Sequence, residues 1–151
     1  MPDFTKRIAD AIKDAMKARD QDALTVLRAL KSALMNSAIE KGGAGSALDD
    51  AEAMAVVRKQ VKQREESART YREGGRPELA EKEEAEIRIL STFLPAALGE
   101  AELAAIIDAA IAETGATGKA QMGLVMKAAS AAAAGRVDGK TLSQAVAARL
   151  A

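Results

Sequence analysis

Apolar residues recur along the chain at intervals of three and four, the period of one helix face, in seven separate runs. The first covers Asp3 to Ala18, with Phe4, Ile8, Ile12 and Ala15 in line, Met16 beside them and Asp3 placed as the N-cap. The second covers Asp22 to Glu40 through Leu24, Leu27, Leu30 or Leu34, and Ala38, with Asp20 or Asp22 as its cap. The segment KGGAGSALDD then breaks the pattern, and Asp49 or Ser46 can cap the next helix. The third run, Asp49 to Glu73, is the longest, about 37 Å as a helix. Its stripe is Met54, Val57, Val61, Ala68 and Tyr71, interrupted by Arg64 and Glu65. Gly74 and Gly75 close it, and Pro77 suits the first turn of a fourth helix that reaches Thr92 through Leu79, Ile87 and Leu90.

Phe93-Leu94-Pro95 ends this half. Pro95 has no backbone N–H and pushes Leu94 away from helical conformation, which puts a domain boundary here: 1–94 and 95–151. Three shorter helices are expected beyond it. Glu100 to Glu113 carries Leu103, Ile106, Ile107, Ala110 and Ile111; Gln121 to Ala133 carries Met122, Val125, Met126 and Ala129; Thr141 to Leu150 carries Leu142, Val146 and Leu150. Their linkers, ETGATGKA and GRVDGK, are glycine-rich. The expected fold class is all-α: an N-terminal four-helix unit with a long helical hairpin, then a small C-terminal three-helix domain.

Composition agrees. Apolar residues make up 48% of the chain, nearly all Ala, Leu, Ile, Val and Met, and the aromatics are Phe4, Tyr71 and Phe93. Ala and Leu lose little side-chain entropy in a helix. Cys, His and Trp are absent, which excludes disulfides, Cys-ligated zinc and iron–sulfur centres, and any catalytic dyad or triad built on Cys or His. No apolar run approaches membrane-spanning length, and MPDFTKRIADAIKDAMKARD reads as an amphipathic helix, so a cytoplasmic location is expected.

Charge sums to zero, 22 basic against 22 acidic residues, but it is segregated. From Arg58 to Arg72 six cations (Arg58, Lys59, Lys62, Arg64, Arg69, Arg72) face two anions; from Glu73 to Glu86 six anions face two cations. Two antiparallel helices can satisfy each other in this way. The alternative is that the basic face takes phosphate or an acidic partner, with a clear salt dependence.

The stretches LRALKSALMNSAIEKG, VVRKQVKQREESARTYREGGRPELAEKEEAEIRILSTFLP and EAELAAIIDAAIAETGATGKAQMGLVMK, together with GRVDGKTLSQAV, resemble the YqeY branch of the GatB/YqeY family across essentially the whole chain. The resemblance implies an N-terminal four-helix part and a C-terminal part similar to the tail domain of the B subunit of tRNA-dependent amidotransferases. In those enzymes the tail grips tRNA while other domains do the chemistry, and the family label is carbon–nitrogen ligase with glutamine as amido donor. The implied partner is tRNA or a tRNA-charging, amidotransferase-type assembly.

The residues themselves carry no such chemistry. Releasing ammonia from glutamine needs an activated nucleophile, and there is no Cys; the serines sit in helices or beside caps without an amidase-like glycine context. Activating a carboxylate with ATP needs a phosphate cradle, and G-x-x-x-x-G-K-[ST] is missing. Glu81, Glu83, Glu84 and Glu86 read as a solvated acidic face, so no metal and no cofactor are expected. The chain is expected to be non-catalytic by itself.

Two readings apply to GRVDGK. As a turn, Gly135 ends one helix in left-handed conformation, Asp138 caps the next, and Gly123 allows the short Met122 helix to approach a neighbour closely. As a site, helix-start N–H groups with Arg136 and Lys140 suit a phosphate, and Lys119 and Lys127 extend the surface. RNA read by shape fits a chain with so few rings. The basic face from Arg58 to Arg72 is the secondary candidate. Against this, 95–151 holds five cations and five anions, and an adaptor that docks partner helices without RNA is the competing expectation.

Overall fold

The computed structural model describes residues 3–151, which contain seven α-helices, one 3-10 turn and no strand. The chain divides into two compact units, Met1–Leu94 and Pro95–Ala151.

In the first unit, α1 (Phe4–Lys17) begins where Asp3 accepts a bond from the Thr5 N–H at 3.0 Å. Helix α2 (Gln21–Gly42) is capped by Asp20, which accepts from the Ala23 N–H at 3.1 Å, and it outruns its apolar pattern at both ends. Gly43, at φ 81°, stops it. Helix α3 (Asp50–Glu73) opens with a reciprocal capping box: Asp49 Oδ1 accepts from the Glu52 N–H at 2.8 Å, and Glu52 Oε2 accepts from the Asp49 N–H at 2.9 Å. Lys41, at the end of α2, donates to the same Glu52 oxygen at 2.7 Å and pins the start of α3 to α2. Helix α4 (Pro77–Ser91) starts on Pro77 and folds back along α3.

The core of this unit is Phe4, Ile8, Leu24, Val26, Leu27, Leu30, Met54, Val57, Leu90 and Phe93 with neighbouring alanines. Each large side chain removed from water there contributes about 1.5–3 kcal/mol. Arg7 ties the two ends of the unit together. Its guanidinium lies 5.3 Å from the Phe4 ring centre and 5.4 Å from that of Phe93, and it donates to the carbonyls of Thr92 (2.9 Å) and Phe93 (3.3 Å). A cation is favoured there because those carbonyls lie at the C-terminal end of α4, the negative end of its dipole.

Helix α4 packs along α3, and buried or half-buried positions keep heptad spacing on both: Met54, Val57, Val61, Arg64, Ala68 and Tyr71 on α3, and Ala80, Glu83, Ile87 and Leu90 on α4. Cluster packing stops at Val61 on α3 and Ile89 on α4. Beyond it the hairpin continues as an arm whose buried side chains are Ala68 and Ala80.

In the second unit, α5 (Glu100–Thr114) ends on left-handed Gly115. A 3-10 turn (Lys119–Gln121), which the apolar pattern does not mark, leads into α6 (Met122–Ala133); α7 (Gly139–Leu150) starts two residues before Thr141. The core is Ile107, Ala110, Val125, Ala129, Leu142, Val146 and Leu150, with Met122 and Met126 packed at its edge. Gly123 does not serve close packing. It is exposed, and an added Cβ would meet nothing within 4 Å. No helix among the described residues is long and apolar enough to cross a membrane.

Candidate functional site

The loop between α6 and α7 is built by two successive left-handed residues. Ala134 (φ 48°, ψ 43°) turns first, one residue before the glycine expected to do so, and Gly135 comes next at φ 80°. The pair reverses the backbone, and the Arg136 N–H returns to the Ala133 carbonyl at 3.0 Å. Asp138 takes the N-cap position of α7, its carbonyl accepting from the Leu142 N–H at 3.1 Å.

Arg136 is held inside this unit. Its Nε donates to the Ala96 carbonyl at 2.9 Å, its Nη2 meets Glu102 at 3.1 Å, and its own carbonyl accepts from the Leu98 N–H at 3.0 Å. These three bonds dock the loop onto the segment entering α5, so this arginine is first a fastener. At the far end of α7, Arg149 grips Asp108 of α5 through two donors, one at 2.8 Å. That guanidinium holds the Asp108 carboxyl below its usual range, and the carboxylate raises Arg149 in turn.

The three lysines behave differently. Lys119, in the 3-10 turn, Lys127, midway along α6, and Lys140, in the first turn of α7, are all exposed, and none joins an ion pair among the described residues. They do not form one cluster. Lys119 and Lys140 belong to opposite ends of α6, whose twelve residues span about 18 Å. Neutrality of the unit hides a division the linear charge count missed: α5 carries four anions and no cation, whereas 119–149 carries five cations and one anion. The signal was present in the sequence as the cation-free run EAELAAIIDAAIAET.

On the first unit the basic stretch of α3 is largely engaged. Arg64 pairs with Glu86 of α4 at 3.1 Å and bonds Gln60 at 2.8 Å; Arg72 meets Glu84 at 2.6 Å; Arg69 reaches Glu66 at 3.7 Å on its own helix. Arg58 and Lys62 also have partners. Lys59 is exposed beside a shallow groove of about 320 Å³ between α2 and α3, floored by Leu48, Ala55 and Val56. Glu83, at a seam position, is pushed up by partial burial and by the neighbouring Glu86 charge, with Arg64 and Lys82 opposing. Among the described residues no acidic cluster has the arrangement of a metal site, and no polar side chain is fully buried.

The family model described as Yqey-like protein matches residues 5–150. The chain belongs to the YqeY-like family. An uncharacterized protein of Schizosaccharomyces pombe is 31% identical over 97 residues, covering 63% of this chain and 75% of that one. Altered inheritance of mitochondria protein 41, a mitochondrial protein of Pyrenophora tritici-repentis, is 28% identical over 142 residues, 91% of this chain and 76% of its own length. Neither name carries a ligand or a reaction to this YqeY-like chain.

Proposed function

We propose that this YqeY-like protein is a binding module without catalysis of its own, and that its C-terminal unit holds the backbone of tRNA, alone or within a tRNA-charging assembly. One observation carries the reading: the arginines Arg136 and Arg149 are fastened to carboxylates, while Lys119, Lys127 and Lys140 stand exposed, outside any ion pair among the described residues, along about 18 Å. A single small phosphate cannot touch lysines so far apart, whereas a polymer of phosphates can. Such contacts position an RNA backbone without reading bases. Relationship to the tail domain of amidotransferase B subunits supports the same partner and rests on the sequence resemblance.

The test is a fluorescence titration with bulk tRNA over a salt series. Each phosphate that no longer meets a lysine should reduce the salt slope by somewhat under one unit. Lys119→Gln, Lys127→Gln and Lys140→Gln together should therefore lower it by about two to three, with helicity and melting unchanged. Arg136 is left intact because removing it would loosen the loop. Absence of tRNA binding to the unmodified protein at low salt would reject the reading and favour an adaptor for a protein partner.

A further inference from the structure

The distal part of the α3–α4 hairpin carries a cationic helix and its own anionic cover. Beyond Val61 and Ile89 no residue joins the core cluster; the fully buried side chains there are Ala68 and Ala80, each burying little more than a methyl group, with Tyr71, Leu79 and Ile87 half-buried. Charge also crosses the seam: Arg64 to Glu86 and Arg72 to Glu84. The second of these pairs is roughly half exposed, so salt and water weaken it. A hairpin arm with no large apolar side chain fully buried belongs to the low-stability end of a structure, the part that opens locally while the core stays folded.

We propose that α4 is a removable anionic cover on α3, and that opening the arm presents Arg64 and Arg72, alongside the already exposed Lys59 and Arg69, to an RNA backbone. Glu84 and Glu86 occupy on α3 the places that phosphates would take. Guanidinium binds carboxylate and phosphate through the same planar donor geometry, so one can replace the other without rebuilding Arg64 or Arg72. In the covered state two of the six cations of 58–72, Arg64 and Arg72, are answered by carboxylates of α4. The uncovered state needs no change in the four-helix core, because Val57, Leu90 and Phe93 lie on the other side of the charged layer.

This surface is separate from the C-terminal lysines, and its test is run where they cannot contribute. In the background Lys119→Gln, Lys127→Gln, Lys140→Gln, the pair Glu84→Gln and Glu86→Gln is added and polyuridylate is the probe. The expected result is at least tenfold tighter binding at low salt than the background alone, with a salt slope steeper by about two for the two released arginines. Amide exchange at 64–84 should quicken at least tenfold while 24–30 and 54–57 keep their protection. Adding Arg64→Gln and Arg72→Gln on top should abolish the gain in binding. Unchanged polyuridylate affinity despite a faster-exchanging arm would overturn the cover, and unchanged exchange would overturn the opening. Neither outcome bears on whether the C-terminal unit binds tRNA.

Discussion

Replacing Glu86 with Leu tests what holds the α3–α4 hairpin. The Arg64 and Glu86 side chains keep only 16% and 18% of their exposure and sit 3.1 Å apart. At that distance, with an effective dielectric near 20, their attraction is about 5 kcal/mol before any cost is counted. Stripping water from two charges offsets most of this. Breaking a fully buried pair costs about 3–5 kcal/mol, and an exposed pair contributes about 0.2–1 kcal/mol. For a pair this far buried, Glu86→Leu should cost about 2 kcal/mol, because Arg64 loses its countercharge and keeps its bonds to the neutral Gln60. Arg64→Met should cost more, about 2–3 kcal/mol, because it leaves Glu86 beside Glu83 with Lys82 the weaker remaining countercharge.

The double variant Arg64→Met with Glu86→Leu should recover nearly all of that loss, since it replaces the charged layer with apolar side chains of similar length in a seam already shaped for them. The chain supplies its own reporter. Tyr71 is the sole tyrosine, there is no Trp, and it lies at the arm end of the seam, so tyrosine emission during urea unfolding reads this hairpin directly. Singles that each cost less than about 0.5 kcal/mol, with no coupling between them, would place the pair among solvent-screened surface contacts. The charged layer would then hold nothing, and the covered-helix proposal would lose its footing with it.

Arg7→Ala should destabilise the first unit by about 2 kcal/mol, since it removes two ring contacts and two charged hydrogen bonds at the end of α4 that water at this half-exposed site partly replaces, read as a lower urea midpoint; Arg7→Lys should recover less than half of it. Glu83→Gln should stabilise the protein at neutral pH. Its carboxyl titrates above its ordinary value in the fold, so the native state binds the proton more tightly, and stability from this group falls as pH rises from the unfolded pKa to the folded one. The gain from Glu83→Gln should therefore shrink in acid, whereas Glu52, Glu78 and Asp108, all held low by basic partners, lose their contribution as pH falls through their depressed values; urea midpoints at neutral and acid pH separate the two signs. Gly123→Ala should stabilise α6 by about 0.5 kcal/mol, as its Cβ enters open space, and Ala134→Gly should gain about 1 kcal/mol by relieving a left-handed alanine, both seen as higher melting temperatures.

Helix identity was legible because each apolar stripe keeps helical spacing and each of the first three helices starts on an aspartate. Asp3, Asp20 and Asp49 are all side-chain caps, and capping depends on neighbours two or three residues away. The features that failed to show depend on residues far along the chain. Arg64 stood out as a break in an apolar stripe, but its partner lies 22 residues on, and only the hairpin register brings Glu86 opposite. Arg136 looked like a ligand-binding cation in a glycine loop. Its acceptors, Ala96 and Glu102, lie 40 and 34 residues away, and nothing local announces them. The Arg7 contacts to Thr92 and Phe93 span 85 and 86 residues and were invisible for the same reason. Gly123 misled in the other direction: a glycine in a helix suggests close approach, and here the space beside it is open.

The two units share one arrangement of charge. In each, a helix rich in carboxylates lies against a segment rich in cations, and arginine makes most of the ties: Arg64 and Arg72 to α4, Arg136 and Arg149 to α5. Lys41 on Glu52 is a lysine tie, and it serves a capping box. The division has a physical basis. A guanidinium is planar, weakly hydrated and matched to a carboxylate, so it loses less on being fixed between helices; an ammonium is strongly hydrated and stays in water on a long flexible stem. A chain with almost no aromatic residues and narrow apolar seams uses arginine to set helix register. Lys119, Lys127 and Lys140 are left for whatever approaches from outside. Exchanging the two roles should therefore not be neutral. Arg149→Lys keeps the charge yet gives up the forked grip on Asp108, and should lower the urea midpoint of the second unit by a small, reproducible amount. Lys127→Arg, on the open face of α6, should leave stability unchanged and keep tRNA binding. Equal stability in the Arg149→Lys protein and its parent would show that charge alone, without geometry, closes these helices together.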